Sequence, residues 1–170
     1  WSSDVCSSDL LLGLSHQADI ILLQEHHMLS PNGLKFLLPY YSLAFSPAQP
    51  TVKTKTVQHT SGGVAILVSR RLYRVKHTDV AYRGHNWCAT TVRMHKECDI
   101  NVITSYIPHG HSAVGSTTMA QVHNFIHSFT LPYIWGGDYN REPEQFFSDT
   151  YMSPETCRII SPHGLKSTCH

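Results

Sequence analysis

The sequence predicts an α/β fold, an α/β sandwich whose β-sheets are mixed. Short apolar runs rich in β-branched residues recur along the earlier part of the chain, as in Asp19–Gln24 and Gly63–Val68. One strong helical pattern lies between two later strand patterns. Two of the apolar runs lead directly into an acidic residue, Glu25 and Asp138. Strands that dominate early and a helix that joins two later strands favour this class over an all-α or all-β domain.

Seven segments fit β-strands because they are apolar or alternating and are bounded by glycine, proline or polar residues. They are Asp19–Gln24, Tyr40–Phe45, Gly63–Val68, Arg74–Val80, Trp87–Met94, Ile100–Tyr106 and Tyr133–Trp135. The polar stretch Pro47–Thr60 is predicted to be a flexible loop. Order resumes at Ser61–Gly63, where two glycines permit a tight turn or a close approach of backbone before the next strand.

The main helix is predicted between the last two strands. Ser116 or Thr117 is expected to cap it, and Pro132 lies beyond its end. Four apolar residues recur at helical spacing and should face the sheet. They are Met119, Val122, Ile126 and Phe129. Leu11–His16 fits the last turn of another helix, and a short helix is predicted from Pro143 to about Thr150.

The first ten residues, Trp1–Leu10, match nothing that follows. They have neither a helical nor an alternating period, and they lack the basic and apolar regions of a signal peptide. They do match, residue for residue, the translation of a common sequencing-library adaptor. We therefore interpret residues 1–10 as an assembly artefact and residues 11–170 as a partial domain, with sequence upstream of Leu11 missing.

Composition narrows the possible functions. The chain has 170 residues, of which 41% are hydrophobic and 15% charged, as in a globular domain with a substantial core. The net charge of +1 produces no basic field typical of a nucleic-acid binder, although local basic edges can suffice. No apolar run approaches the ~20 residues of a membrane span. We predict no membrane partner, and nothing indicates an oligomer.

The cysteines suggest neither a disulfide framework nor a cysteine-based zinc site. Cys88, Cys98, Cys157 and Cys169 show no close paired spacing. A reduced, intracellular compartment, nuclear or cytoplasmic, is therefore the expected location.

Four short motifs, taken in chain order, resemble the endonuclease/exonuclease/phosphatase superfamily. They are Ala-Asp-Ile-Ile-Leu-Leu-Gln-Glu at 18–25, Gly-Gly-Val-Ala-Ile-Leu-Val at 62–68, Ile-Thr-Ser-Tyr-Ile-Pro at 103–108 and Trp-Gly-Gly-Asp-Tyr-Asn at 135–140. Each alone is weak, but four in order are specific. The resemblance implies a four-layer α/β sandwich with two mixed sheets and a metal-dependent phosphoesterase activity.

The resemblance also implies a role for each matching residue. Glu25 would bind Mg²⁺ or Mn²⁺, hard ions that prefer carboxylate oxygen. Asp138 would orient or deprotonate the attacking water, and Asn140 would hold a phosphate oxygen or position Asp138. Tyr106 would place its hydroxyl on the scissile phosphate, and His109 would contact a phosphate.

Purely structural interpretations of these residues remain open. Glu25 could be a surface acid at a strand end, and Asn140 a turn residue. Tyr106 could simply pack half-buried, and His109 could belong to an ordinary turn. His26, next to Glu25, is expected to serve loop structure.

The chain departs from the family pattern at both ends. An Asn of the first strand should precede Leu11, and a closing Asp-His motif should follow His170. We therefore expect a partial sandwich that lacks its first and last strands and that is weakly active or inactive, because loss of such groups costs several kcal/mol of transition-state stabilisation.

DNA is the expected substrate, since the loop 106–110 looks most like the nuclease branch, especially reverse-transcriptase-associated endonucleases. A small phosphorylated substrate and a non-catalytic retroelement remnant are the alternatives. The 13 histidines also raise a zinc hypothesis, because His123 and His127 are one helical turn apart. The segment 123–127 lacks the Glu of a zinc-protease helix, and spacing suggests no third ligand.

Overall fold

The computed structural model describes residues 11–14, 17–52, 58–72, 82–95, 98–108 and 113–140. Its strands are β1 (Ile20–Gln24), β2 (Tyr41–Ser46), β3 (Gln49–Val52), β4 (Gln58–Ser61), β5 (Val64–Ser69), β6 (Tyr82–Gly84), β7 (Trp87–His95), β8 (Cys98–Tyr106) and β9 (Tyr133–Asp138). A 3₁₀ helix spans Pro31–Leu37, and the α-helix α1 spans Ala113–His127. Residues 1–10, the predicted strand Arg74–Val80 and the predicted helix after Pro143 lie outside these ranges.

The first sheet has the strand order β1-β5-β2, with antiparallel pairing throughout the described strands. Its central strand β5 reads Val-Ala-Ile-Leu-Val-Ser, and all six residues are buried. A continuous apolar run of this length suits a strand that is covered on both faces. Gln24 pairs with Val64, so the end of β1 and the start of β5 lie at the same edge.

The second sheet is mixed and has the order β6-β7-β8-β9. The first three strands are joined by antiparallel pairing, whereas β8 and β9 run parallel. Parallel neighbours need a crossover connection, and α1 lies within the segment that joins them. The parallel pairing brings the ends of β8 and β9 to one edge of the sheet.

The two sheets pack face to face, and helices cover their outer faces, as the predicted α/β sandwich requires. The cluster between the sheets contains Ala44, Val64, Ile66, Val68, Cys88, Val92 and Val102. On the outer face of the second sheet, α1 contributes Met119, Val122, Phe125 and Ile126. On the outer face of the first sheet, the 3₁₀ helix buries Leu34 and Leu37. The four-layer arrangement is confirmed.

Part of the predicted loop Pro47–Thr60 is a β-hairpin, so that prediction was wrong there. β3 pairs antiparallel with β4, from Gln49 opposite Ser61 to Val52 opposite Gln58. The polar composition hid the strands, because β-branched residues that favour extended backbone, such as Thr51 and Thr60, are spread among Pro, Gln and Lys.

The start of α1 also differs from the prediction. The helix begins at Ala113, so neither Ser116 nor Thr117 is its cap. The Thr117 hydroxyl donates to the Ala113 carbonyl, at 2.8 Å, one turn back along the helix. The predicted sheet-facing residues are confirmed: Met119, Val122 and Ile126 are buried, and Phe129 packs beside them.

The helical turn expected at Leu11–His16 is present at residues 11–14. No helix in the described ranges is long and apolar enough to cross a membrane.

Candidate active site

Tyr106 and Asp138 end the parallel strands β8 and β9 at the same edge of the second sheet. They are directly paired in register, and the Ile107 amide donates to the Asp138 carbonyl at 2.8 Å. Their side chains therefore start from adjacent backbone positions. Tyr106 is half-buried, whereas Asp138 is exposed. The predicted base and the predicted phosphate-binding hydroxyl are neighbours.

Asn140 closes the turn after β9. Its backbone has a left-handed φ of 47°, which Asn tolerates better than most residues. Its backbone N–H donates to Asp138 Oδ1 at 3.0 Å, and its side-chain Nδ2 donates to the Ile107 carbonyl at 2.9 Å. Asn140 is thus a turn residue that also restrains the Asp138 carboxylate, which joins two of the roles that the sequence left open.

Glu25 approaches the site from the first sheet, on a loop with unusual backbone. Glu25 and His27 have left-handed φ values of 48° and 55°, conformations that cost about 1–3 kcal/mol each and persist only when their surroundings enforce them. The amides of His26 and His27 donate to the carbonyls of Gly63 and Gly62, at 3.3 and 3.2 Å. The start of β5 therefore holds this loop.

The His26 ring completes the support of the Glu25 loop. It stacks on Phe45 with ring centroids 4.7 Å apart and planes 10° apart, and its Nδ1 accepts from the Met28 amide at 3.0 Å. A Cβ on Gly63 would lie 2.5 Å from His26 Cε1. Burial, more than any neighbouring group, lowers the pKa of His26. His26 has the structural role that was expected of it.

The two halves of the site meet at the Tyr106 hydroxyl, which donates a hydrogen bond to the Glu25 carboxylate. The pKa of Tyr106 is well above its usual range because of burial first, then this hydrogen bond and the charges of Glu25 and Asp138. The Tyr106 hydroxyl is therefore within electrostatic reach of both carboxylates. The structure brings together Glu25, Tyr106, Asp138 and Asn140, while His109 lies outside the described residues.

Gln24 and Thr104 tie the sheets together beneath the site, a role that the sequence analysis missed. Gln24 Nε2 donates to Thr104 Oγ1 at 2.8 Å, across the gap between β1 and β8. Gln24 immediately precedes Glu25, and Thr104 is two residues before Tyr106. A polar residue at the end of each apolar strand was the available signal, because polar groups inside a sandwich must find partners.

The turn between β6 and β7 adjoins the site. The Tyr106 amide donates to the Asn86 carbonyl at 2.8 Å, and Asn86 itself is buried. The Ser46 hydroxyl, at the end of β2, donates to the Gly84 carbonyl. This turn therefore touches both sheets, and nothing in the sequence marked it.

The donors at the site fit a hard divalent cation. Glu25 and Asp138 are exposed carboxylates, and no cluster of three or more His, Cys, Asp or Glu side chains suited to a metal occurs in the described part of the chain. Mg²⁺ is commonly held by one or two carboxylates together with substrate phosphates and waters, so it does not need a complete protein cage.

The zinc hypothesis gains no third ligand from the described residues. The rings of His123 and His127 do lie close, with centroids 4.2 Å apart. Burial, and then the neighbouring His127, lower the pKa of His123. Structural zinc sites use four protein ligands and catalytic ones three, so two imidazoles on one helix do not make such a site.

A model of the endonuclease/exonuclease/phosphatase family matches residues 3–151. The chain belongs to this family. The resemblance carried by the four motifs is therefore confirmed at the level of family and fold. No curated protein sequence matches the chain.

Solved structures of TDP2 proteins have a similar fold. A humanized D. rerio TDP2 with 14 mutations has a TM-score of 0.53 and 16% identity, over 86% of this chain and 59% of that one. A TDP2 from Caenorhabditis elegans has a TM-score of 0.49 and 19% identity, over 85% of this chain and 47% of that one. The chain thus spans about half the length of these structures.

Proposed function

We propose that the candidate site serves the hydrolysis of phosphodiester bonds with the help of a divalent metal ion, and that its substrate is DNA. The carrying observation is the convergence of Glu25, Tyr106 and Asp138 from two sheets onto one edge of the sandwich. Family membership supports the reaction class. The resemblance of the loop 106–110 to the nuclease branch supports DNA as the substrate.

Glu25 would hold Mg²⁺ or Mn²⁺, which when bound polarises a phosphoryl oxygen and stabilises charge on the leaving oxygen. The left-handed backbone at Glu25 and the stacked His26 fix the position of that carboxylate. Preorganisation of this kind matters because charge stabilisation in the transition state depends on donors that need not rearrange.

Asp138 would accept a proton from the attacking water. General-base catalysis requires the carboxylate to lie within hydrogen-bond reach of that water, and the Asn140 amide restrains one of its oxygens. The other oxygen of Asp138 is then available to the water. Asn140 acts here as a positioning residue, with its side chain bonded to the Ile107 carbonyl.

Tyr106 would donate its hydroxyl to an oxygen of the scissile phosphate. Its present acceptor is the Glu25 carboxylate, so an arriving phosphate exchanges one anionic acceptor for another. Hydrogen bonds to charged acceptors are stronger than neutral ones. His109 is proposed as a further phosphate contact, on the basis of the resemblance alone.

The test is nicking of supercoiled DNA in Mg²⁺, together with calorimetric titration of Mn²⁺. Because the chain spans about half of the matched structures, both the 170-residue chain and its whole natural reading frame are assayed. We expect Asp138→Asn to lower the nicking rate by about 10²–10⁴-fold with metal binding retained. Glu25→Gln should weaken Mn²⁺ binding itself.

Asp99→Asn is the matched control, since Asp99 is a half-buried acid, paired with Arg93, near the start of β8, at the opposite end of that strand from Tyr106. It should leave nicking unchanged. Undiminished nicking by Asp138→Asn would refute the mechanism. Hydrolysis of bis(4-nitrophenyl) phosphate without any cleavage of DNA would instead support a small phosphorylated substrate.

A further inference from the structure

The hairpin of β6 and β7 carries two exposed basic side chains, Arg83 and His85, beside the candidate active site. Gly84 pairs with Trp87, so His85 and Asn86 form a two-residue turn. The Asn86 carbonyl accepts from the Tyr106 amide at 2.8 Å. His85 therefore lies at the sheet edge where the candidate active site is formed, and Arg83 is two residues further along.

The backbone under these two side chains is held firmly. The Ser46 hydroxyl donates to the Gly84 carbonyl and also, at 3.4 Å, to that of His85. Trp87 is buried, and its Nε1 donates to Gln121 Oε1 on α1 at 2.8 Å. A surface that is already ordered loses little conformational entropy when a ligand binds.

The negative charge of the candidate site would repel DNA unless basic side chains lay nearby. Glu25 and Asp138 are exposed carboxylates, and a polyanionic strand must approach both of them. A cation and an imidazole N–H alongside would offset that repulsion and would donate to phosphate oxygens.

We propose that Arg83 and His85 bind the phosphodiester backbone of a DNA strand, on one side of the phosphate that is cleaved. This inference rests on the function proposed above and adds the residues that hold the substrate strand. Both side chains would act through phosphate, so the contact would position the strand without reading its sequence.

The sheet geometry sets the distance of this contact from the cleavage point. β6 is separated from β8, which carries Tyr106, by β7 alone. Neighbouring strands lie about 4.8 Å apart, so Arg83 stands about 10 Å from the line of β8. Successive phosphates of one DNA strand lie farther apart than the ~3.4 Å that separates them along the duplex axis, because the strand winds around that axis. The contact is therefore expected about one or two phosphates from the cleaved one.

The experiment measures binding of a fluorescein-labelled duplex by anisotropy, in EDTA to prevent cleavage and over a range of salt concentrations. Arg83→Gln should weaken binding about fivefold to tenfold at low salt and should reduce the slope of log affinity against log salt by about 0.9. His85→Ala should weaken binding about threefold with a smaller change of slope. His85→Phe should behave like His85→Ala.

Arg71→Gln is the matched control. Arg71 is an exposed arginine that follows β5, whose start is at the site edge and whose end is at the opposite edge. It should bind DNA as the wild type does.

Three results would overturn all or part of the inference, and they are distinguishable. Wild-type binding and nicking that Arg83→Gln leaves unchanged in affinity and in salt slope would refute the contact alone. A protein made from the whole natural reading frame that neither binds nor nicks DNA would refute the proposed function as well. Full affinity in His85→Phe would show stacking on a base and refute the phosphate contact of His85.

Discussion

The two acidic residues of the candidate site are positioned by different kinds of structure. Asp138 is the last residue of a regular parallel strand, and six consecutive pairs with β8 set its place. Glu25 lies just outside its strand in left-handed backbone, and its place depends on contacts with Gly63 and His26. Asp138 is positioned by the pairing of two strands, and Glu25 by a loop. The loop should therefore tolerate less change among its neighbours.

The largest effect is expected from a substitution that disrupts the pairing of β8 with β9. Gly137→Ala would place a Cβ against the Ser105 carbonyl, a backbone atom that cannot turn aside. The β8–β9 pairing must shift, which should cost about 3 kcal/mol of stability, the upper range for overpacking, and should displace Asp138. Urea unfolding measures the loss. Gly13→Ala is the control, because a Cβ there meets nothing within 4 Å. Equal stability of the two variants would contradict the close contact.

The next largest effect is expected from a substitution that disturbs the loop carrying Glu25. Gly63 has a φ of 89°, and a Cβ would lie 2.5 Å from His26 Cε1 and 3.0 Å from the Ala48 amide nitrogen. Gly63→Ala should cost about 2 kcal/mol, since a left-handed non-glycine residue is strained whatever the space. It should also weaken Mn²⁺ binding, because the Gly63 carbonyl accepts a hydrogen bond from the loop that carries Glu25. Unchanged calorimetric affinity would show that the loop is held by other contacts.

A pH titration tests the hydrophobic core between the two sheets. Cys88 is buried between the sheets, and burial raises the pKa of its thiol to about 12. In the unfolded chain the thiol has the ordinary value of about 8.5, so above that pH the unfolded state loses its proton first. The free energy of unfolding is then fully present below about pH 8.5 and falls by up to 1.4 kcal/mol or so per pH unit above it. Stability is measured from pH 7 to 10.5.

Cys88→Ala is the comparison for that titration. It should lower stability by a constant amount below about pH 8.5 and flatten the alkaline slope relative to wild type. Identical slopes in the two proteins would show that burial does not keep the Cys88 thiol protonated in the folded state.

The smallest effect is expected for the hydrogen bond that joins the two sheets. Gln24 Nε2 and Thr104 Oγ1 are 2.8 Å apart, and a typical hydrogen bond contributes about 1 kcal/mol. A double-mutant cycle with Gln24→Ala and Thr104→Val should show a coupling of about that size. Additive effects would show that the two sheets keep their spacing without this bond.

The same contrast explains how much the sequence could predict. A strand and turn near Asp138 and Asn140 could be predicted because a strand followed by an acidic turn is a local pattern, and Tyr106 shares their edge through parallel pairing. The left-handed backbone of Glu25 was not predicted, since it arises from Gly63, which is distant in sequence. The Gln24–Thr104 bond was missed for the same reason, as it spans 80 residues.

Two misses were local instead. Weak strand patterns at Gln49–Val52 were hidden by polar residues, and hydroxyls near the start of α1 bond backward to the helix rather than capping it. Propensity alone cannot decide such cases, because pairing partners and the preceding turn supply the deciding bonds.

The strand orders imply a sequence of assembly for the site. Within residues 82–138, each strand of the second sheet pairs with its neighbour in the chain. In the first sheet, β5 pairs with β1 across 40 or more residues of chain, as the pairing of Gln24 with Val64 shows. Closing longer loops costs more entropy, so local pairings form sooner. During folding, we expect Tyr106 and Asp138 to stand in place first and Glu25 to arrive last, which makes a metal-competent site a late product of the folding reaction.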